Sequence, residues 1–243
     1  MTDIEVIPLE LGTFRFPEAE LAGRQGVVMG YAVRYPGGIF LFDTGFGFGN
    51  QELDERYHPV PRIVAEVLYD AGIDLREVTA VANCHLHADH AGQNGAFRGL
   101  PAQIHVQSAE WELAHTTDHT ILEWIDAPGQ EAYLLVDGDH EVTPEIRILA
   151  TPGHTRGHQS IAVSTDRGAI VLAGQACYTV GEWEGDPDAI DGRSTAPDVA
   201  AYDRSIERLK ELEPRIVYFA HDRSIWTAGP GVRTRPAILP GPC

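Results

Sequence analysis

Residues 85–90 read His-Leu-His-Ala-Asp-His, four potential metal ligands within six positions. Alternate side chains of an extended or turning segment share a face. His85 and His87 can therefore grip one ion, while Asp89 and His90 point elsewhere and can serve a second. Imidazole and carboxylate suit zinc, iron or manganese, and the lack of a thiolate cluster argues against a purely structural zinc site. A second run, Thr151-Pro152-Gly153-His154-Thr155-Arg156-Gly157-His158, presents His154 after a Pro-Gly turn. His158, four residues on, can donate a supporting hydrogen bond. A third histidine, His221, follows the apolar stretch that ends Phe219-Ala220. Alone, the second run reads as well as a common Pro-Gly turn and His221 as a satisfied buried histidine, whereas four ligand types in six positions argue against a merely polar loop. Three histidine-bearing strand ends in one chain point instead to one shared site.

The elements that must position these residues alternate between strand and helix. Ile4–Leu11, Val27–Tyr35 and Gly38–Asp43 read as strands, the last after a Pro36-Gly37-Gly38 turn. Val60, Ile63, Val64, Val67 and Leu68 lie at helical spacing, with Gly72 as the stop. Val78–Cys84 reads as a buried strand running into the histidine loop, Ile104–Val106 as a strand, and Ser108–His115 as a helix capped by Ser108. Strands follow at Ile146–Leu149, Ser160–Ser164, Ala169–Leu172 and Arg215–Ala220. Asp198 caps a helix with the stripe Val199, Tyr202, Ile206 and Leu209. The acidic, Gly- and Pro-containing segment Gly181–Pro197 reads as a surface loop, and the tail Pro236–Cys243 as irregular. This alternation implies a layered α/β architecture in a single domain, 1–243.

Composition narrows the partners. With 36 Asp+Glu against 18 Lys+Arg, the 243-residue chain carries a formal net charge of −18, which disfavours nucleic acid and anionic membranes and leaves a small-molecule substrate as the expected partner. Hydrophobic content of 43% and charged content of 22% argue against disorder and coiled coil. No run approaches the ~18 apolar residues that span a bilayer. The N-terminus lacks a basic region followed by an apolar run, and the odd set Cys84, Cys177 and Cys243 implies a reducing compartment. The chain reads as a soluble cytoplasmic protein.

The His85–His90 run, the Thr151–His158 segment, Asp43-Thr44-Gly45 after an early strand and His221 near the end come in an order that resembles the metallo-β-lactamase-fold hydrolases, and within them the N-acyl-homoserine lactonase branch. The resemblance spans most of the chain. It implies a four-layer αββα sandwich with metals at one edge of the two sheets. It also implies that His85, His87 and His154 bind a first metal and Asp89, His90 and His221 a second. One position departs from the pattern. The family usually has an aspartate bridging both metals where this chain has Gln175, whose neutral amide oxygen supplies no bridging charge. Three consequences stay open: a second metal bound weakly or not at all, one metal with Asp89 freed as a general base, or a non-catalytic member.

The resemblance also implies that Tyr178 reaches the substrate carbonyl. The chemistry expected is hydrolysis of a lactone, ester or thioester by a hydroxide held on zinc, with iron or manganese as alternatives. Tyr178 then assists the oxyanion and Asp89 handles a proton. Asp43 is expected to orient a ligand histidine. Phe46, Phe48, Trp183 and Trp226 are candidates to line an acyl pocket. Cys84 reads as strand packing, and Cys177 lacks an identifiable base, which argues against a nucleophile. A mononuclear iron oxygenase and a degenerate ligand-binding member are the alternative readings.

Overall fold

The computed structural model describes residues 4–17, 21, 23–118 and 120–229. The Pro236–Cys243 tail lies outside them. The strands are β1 (Glu5–Arg15), β2 (Gln25–Tyr35), β3 (Gly38–Phe42), β4 (Val60–Pro61), β5 (Val78–Ala82), β6 (Gln103–Gln107), β7 (Tyr133–Val136), β8 (His140–Thr143), β9 (Ile146–Ala150), β10 (Gln159–Thr165), β11 (Gly168–Leu172), β12 (Ile216–Tyr218) and β13 (Trp226–Thr227). The α-helices are α1 (Gln51–Tyr57), α2 (Val64–Asp70), α3 (Ala88–Ala91), α4 (Ser108–Thr116), α5 (Leu122–Asp126), α6 (Val180–Glu184) and α7 (Val199–Glu211). Among the described residues the strands form two mixed sheets, ordered β4-β1-β2-β3-β5-β6-β7 and β13-β12-β11-β10-β9-β8.

Side-chain alternation along the strands separates three apolar layers. In β2, Val27, Met29, Tyr31 and Val33 face the second sheet, where they meet Ile146, Ile148, Ile161 and Val163. Val28 and Ala32 of the same strand belong to the opposite layer, against Leu53, Val64, Val67 and Leu68 of α1 and α2. Leu149, Val171 and Val217 turn outward from the second sheet onto Trp183 and Leu209 of α6 and α7. Helices outside two face-packed sheets make the four-layer αββα sandwich.

Parallel pairing brings loops to a common edge. Strand β3 pairs parallel with β5, so the Asp43 turn and the His85–His90 loop leave the sheet at the same end. In the second sheet β11 pairs parallel with β12, which sends Gln175 and His221 out together. The Thr151–His158 loop joins β9 to β10. It is closed by the Thr151 N–H donating to the His158 carbonyl at 2.9 Å and tied to the first sheet by the Gln159 N–H donating to the Cys84 carbonyl at 2.8 Å.

Four expectations are corrected. Val60 does not begin a helix. Val60 and Pro61 pair with Thr13 and Gly12 as β4, because a proline lacks the N–H and forces its predecessor into extended backbone. The helix starts at Val64, whose N–H is accepted by Gln93 Oε1 at 2.9 Å. Ser108 is not the cap of α4 but its first residue, with Gln107 at the cap position. Gly181–Pro197 is not a plain surface loop: α6 begins just before it, with Thr179 accepting from the Glu182 N–H, and buries Trp183. Val199 is 37% exposed and drops out of the buried stripe of α7, whose N-terminus is capped by Asp198 as expected.

Candidate metal and active site

Asp43 follows β3 in a left-handed conformation, with φ of 67°. Backbone strain of this kind concentrates at functional sites, and here three bonds hold it. The Asp43 N–H donates to the Ala82 carbonyl, Oδ1 accepts from the Cys84 N–H at 2.7 Å, and Oδ2 accepts from His90 Nδ1 at 2.9 Å. Asp43 thus aims the His90 ring and ties the start of the histidine loop to its own turn.

His85, His87 and His154 converge. His154 Nε2 lies 3.2 Å from His85 Nε2 and 3.2 Å from His87 Nδ1. Burial, reinforced by the neighbouring imidazoles, pushes His85 and His154 well below the ordinary histidine range, so these rings are neutral and carry lone pairs. Three imidazoles with nitrogens this close are a donor set that fits one borderline cation, and together they can hold it. His154 Nδ1 lies 3.2 Å from the Tyr178 hydroxyl. With Nε2 as a lone pair, Nδ1 carries the proton and donates to the phenol oxygen, leaving the phenol's own proton for another acceptor.

The neighbouring group is less regular. His90 Nε2 is buried without a hydrogen-bond partner, although Asp89 Oδ2 is 3.1 Å away. Burial would lower His90, but Asp89, then Cys84 and Asp43, raise it well above the ordinary range. Burial would raise Asp89, but His90 and then His221 hold it well below the carboxylate range. His85, Asp89 and His90 form a second close group of donor atoms. His221 belongs to no such group among the described residues. Its Nδ1 donates to the Val27 carbonyl at 2.8 Å, its Nε2 is met by Gln175 Nε2 at 2.5 Å, and burial lowers it to about 4.

His158 does not hydrogen-bond to a ligand imidazole. Its Nδ1 donates to the Thr151 carbonyl at 3.0 Å, and its Nε2 accepts the Gln175 N–H at 2.9 Å. Burial lowers it to about 3. It therefore positions the backbone of Gln175, which is a correction of its expected role. Cys84 and Cys177 are buried, and burial raises both thiols, which leaves neither a ready nucleophile.

A cavity of about 1360 Å³ opens over this cluster, and His87, Asp89, His154, Gln175 and Tyr178 reach its floor. Its apolar wall is Phe14, Phe16, Phe46, Leu53 and Tyr57. Of the expected pocket aromatics only Phe46 takes part. Phe48 is 52% exposed, and Trp183 and Trp226 pack behind the second sheet with Phe219. Phe14 near the end of β1 and Phe16 just past it lie two residues apart, a period-2 signal just beyond the Ile4–Leu11 segment.

Glu110 carries no ligand-like spacing, yet it is fully buried and joins the two histidine loops. Its Oε1 accepts from the Leu86 N–H at 2.9 Å, and its Oε2 accepts from the Thr155 hydroxyl at 2.6 Å. The Thr155 loop reaches it because residue 157 is glycine: a Cβ there would lie 2.3 Å from the Glu110 backbone nitrogen. Gly157→Ala is expected to cost about 1–3 kcal/mol by overpacking and to lower the Tm by about 3–10 °C. A thermal melt unchanged from the parent would contradict that close approach.

A family model described as the metallo-beta-lactamase superfamily matches residues 23–221. An N-acyl homoserine lactonase from a Bacillus species is 36% identical over 168 residues, which is 65% of this chain and 62% of that protein; the match thus spans less than two thirds of that relative. The N-acyl homoserine lactonase AttM of Rhizobium radiobacter is 30% identical over 266 residues, 93% of this chain and 96% of AttM. A crystal structure of a B. thuringiensis AiiA mutant with N-decanoyl-L-homoserine bound at its active site superposes with a TM-score of 0.73 at 27% identity, covering 89% of this chain and 92% of that one.

Proposed function

The chain belongs to the metallo-beta-lactamase superfamily, and from that premise we propose that it is a metal-dependent hydrolase that opens the ester bond of an N-acyl homoserine lactone. The observation that carries this reading is the convergence of His85, His87 and His154 under a cavity with an aromatic wall and Tyr178 on its floor. The two lactonase relatives supply the substrate class. Zinc is the ion the donor set suits best, since three imidazoles without a thiolate leave a position open for substrate.

His85, His87 and His154 would hold the zinc, which when bound supplies a Lewis acid and a water of lowered pKa. Phe14, Phe16, Phe46 and Leu53 take the acyl chain out of water. Burial raises the Tyr178 phenol above its ordinary range, so it keeps its proton. That proton is available to the carbonyl oxygen as negative charge develops there, the task of a preorganised donor. Asp89 is ionised and reaches the same cavity. It takes a proton from the attacking water and returns it to the ring oxygen as the C–O bond breaks. The products are a carboxylate and a free hydroxyl.

Tyr178→Phe is expected to lower kcat by about 10²-fold, the scale of one oxyanion donor, with zinc content unchanged. Equal kcat in the variant would remove Tyr178 from the chemistry. The substrate test is a panel of N-acyl homoserine lactones of graded chain length, with matching acyl thioesters and ring-opened amides, followed by chromatography and proton release. Lactone opening with the amide bond left intact is expected. No lactone opening by zinc-loaded protein, or oxygen consumption by iron-loaded protein in its place, would overturn the reading.

A further inference from the structure

We propose that Gln175 seals the second metal position, so that this protein works with one metal ion per chain. The proposal rests on the reading above, in which the first ion is held by His85, His87 and His154. It is carried by the contacts of two side chains. His221 Nδ1 donates to the Val27 carbonyl at 2.8 Å, which leaves Nε2 as the ring's only lone pair. That lone pair is taken: Gln175 Nε2 sits 2.5 Å from it. Turned over, Oε1 would set its lone pairs against a nitrogen that offers no proton, an arrangement only a cation between the two could relieve, and neither group brings the negative charge such a cation would need beside the first. The histidine tautomer, set in turn by a backbone carbonyl, thus favours the amide orientation that fills the position.

His221 is pinned on its other sides as well. Phe14 and Phe16 stack edge-on against it at 5.4 and 5.9 Å, and Tyr178 at 5.0 Å. Its Nε2 is 3.7 Å from Asp89 Oδ2, too far to share the proton it lacks. Without His221, a second ion at Asp89 and His90 would sit next to a cation already held by His85. Two cations this close repel strongly unless negative charge lies between them, and the side chain at that point is a neutral amide that is 4% exposed.

The amide has a second consequence. Gln175 Oε1 is buried with no hydrogen-bond partner, and the residue reaches the cavity floor. A buried, unsatisfied acceptor costs about 1–3 kcal/mol, and natural proteins keep such groups where something else satisfies them. Here the available donors are a substrate N–H, such as the acylamide of the proposed lactone, or a water on the single metal. In this arrangement Asp89 is freed from metal binding and serves only the proton.

The test is metal counting, which needs no substrate. Wild-type protein is stripped, titrated with zinc, and measured by native mass spectrometry and elemental analysis, beside Gln175→Asp. The proposal expects the wild type to saturate at one zinc and the aspartate variant at two. Two zinc ions of comparable affinity in the wild type would overturn it, and so would a folded Gln175→Asp that stays at one. Zero zinc in the wild type would instead overturn the reading on which the proposal rests. His221→Ala covers the case in which Gln175→Asp does not fold. It should keep its single zinc with affinity within about threefold of wild type, and loss of that zinc would make His221 a ligand and overturn the proposal.

Discussion

Replacing His154 with alanine is expected to reduce bound zinc from one ion per chain to a trace and to lower kcat/KM by at least about 10³-fold. The size follows from the Lewis-acid contribution of a catalytic metal, several kcal/mol at about 1.36 kcal/mol per decade of rate. His154 is the most sensitive of the three imidazoles because its Nε2 is the shared vertex, 3.2 Å from both His85 and His87. Its Nδ1 also supports Tyr178, so the variant loses the metal and the phenol's alignment together. Metal analysis and initial rates on the same preparation check this. Full zinc content, or a rate within tenfold of wild type, would contradict the ligand assignment.

Glu110→Ala is expected to destabilise the fold by about 3–5 kcal/mol. Removing the carboxylate strands two buried donors, the Leu86 N–H and the Thr155 hydroxyl, at about 1–3 kcal/mol each. At roughly 2–4 °C per kcal/mol for a chain of this size, the Tm should fall by about 10 °C. The site should suffer too, since this side chain bridges the loop that carries His85 and His87 and the loop that carries His154. Glu110→Gln should recover part of the stability, because its amide oxygen can still accept one of the two bonds. Calorimetry and zinc affinity measured across the pair separate the two effects. An alanine variant that melts with the wild type would show that the loops do not depend on Glu110.

What could be read from the chain follows from how local each signal is. Residues 85–90 concentrate four donors in one short loop, so their chemistry is visible without the fold. His154 and His221 become legible only together, because each sits at the end of an apolar strand and points to the same edge. Glu110 stayed hidden. Its partners lie 24 and 45 residues away, and nothing in the helix Ser108–Thr116 marks one glutamate as buried. The α6 helix carries a local signal, since Thr179 followed by Glu182 matches the spacing of a capping box, but the glycines and acids after it read as a loop. Val60–Leu68 failed for the opposite reason. Its apolar spacing is helical from Val60 onward, and Pro61 vetoes the first turn. Gln175 was visible as a departure from its family, but its effect was not. That effect depends on the tautomer of His221, which the carbonyl of Val27 sets from the other sheet.

The most direct measurement of the central claim is lactone opening by one preparation taken through three states: as zinc-loaded protein, after chelation and dialysis, and after zinc is returned in measured steps. Proton release from an N-acyl homoserine lactone is expected to disappear on chelation and to return in proportion to zinc, reaching its full value at one equivalent per chain. Turnover that survives complete removal of the metal, or that never appears at any zinc loading, would contradict the account.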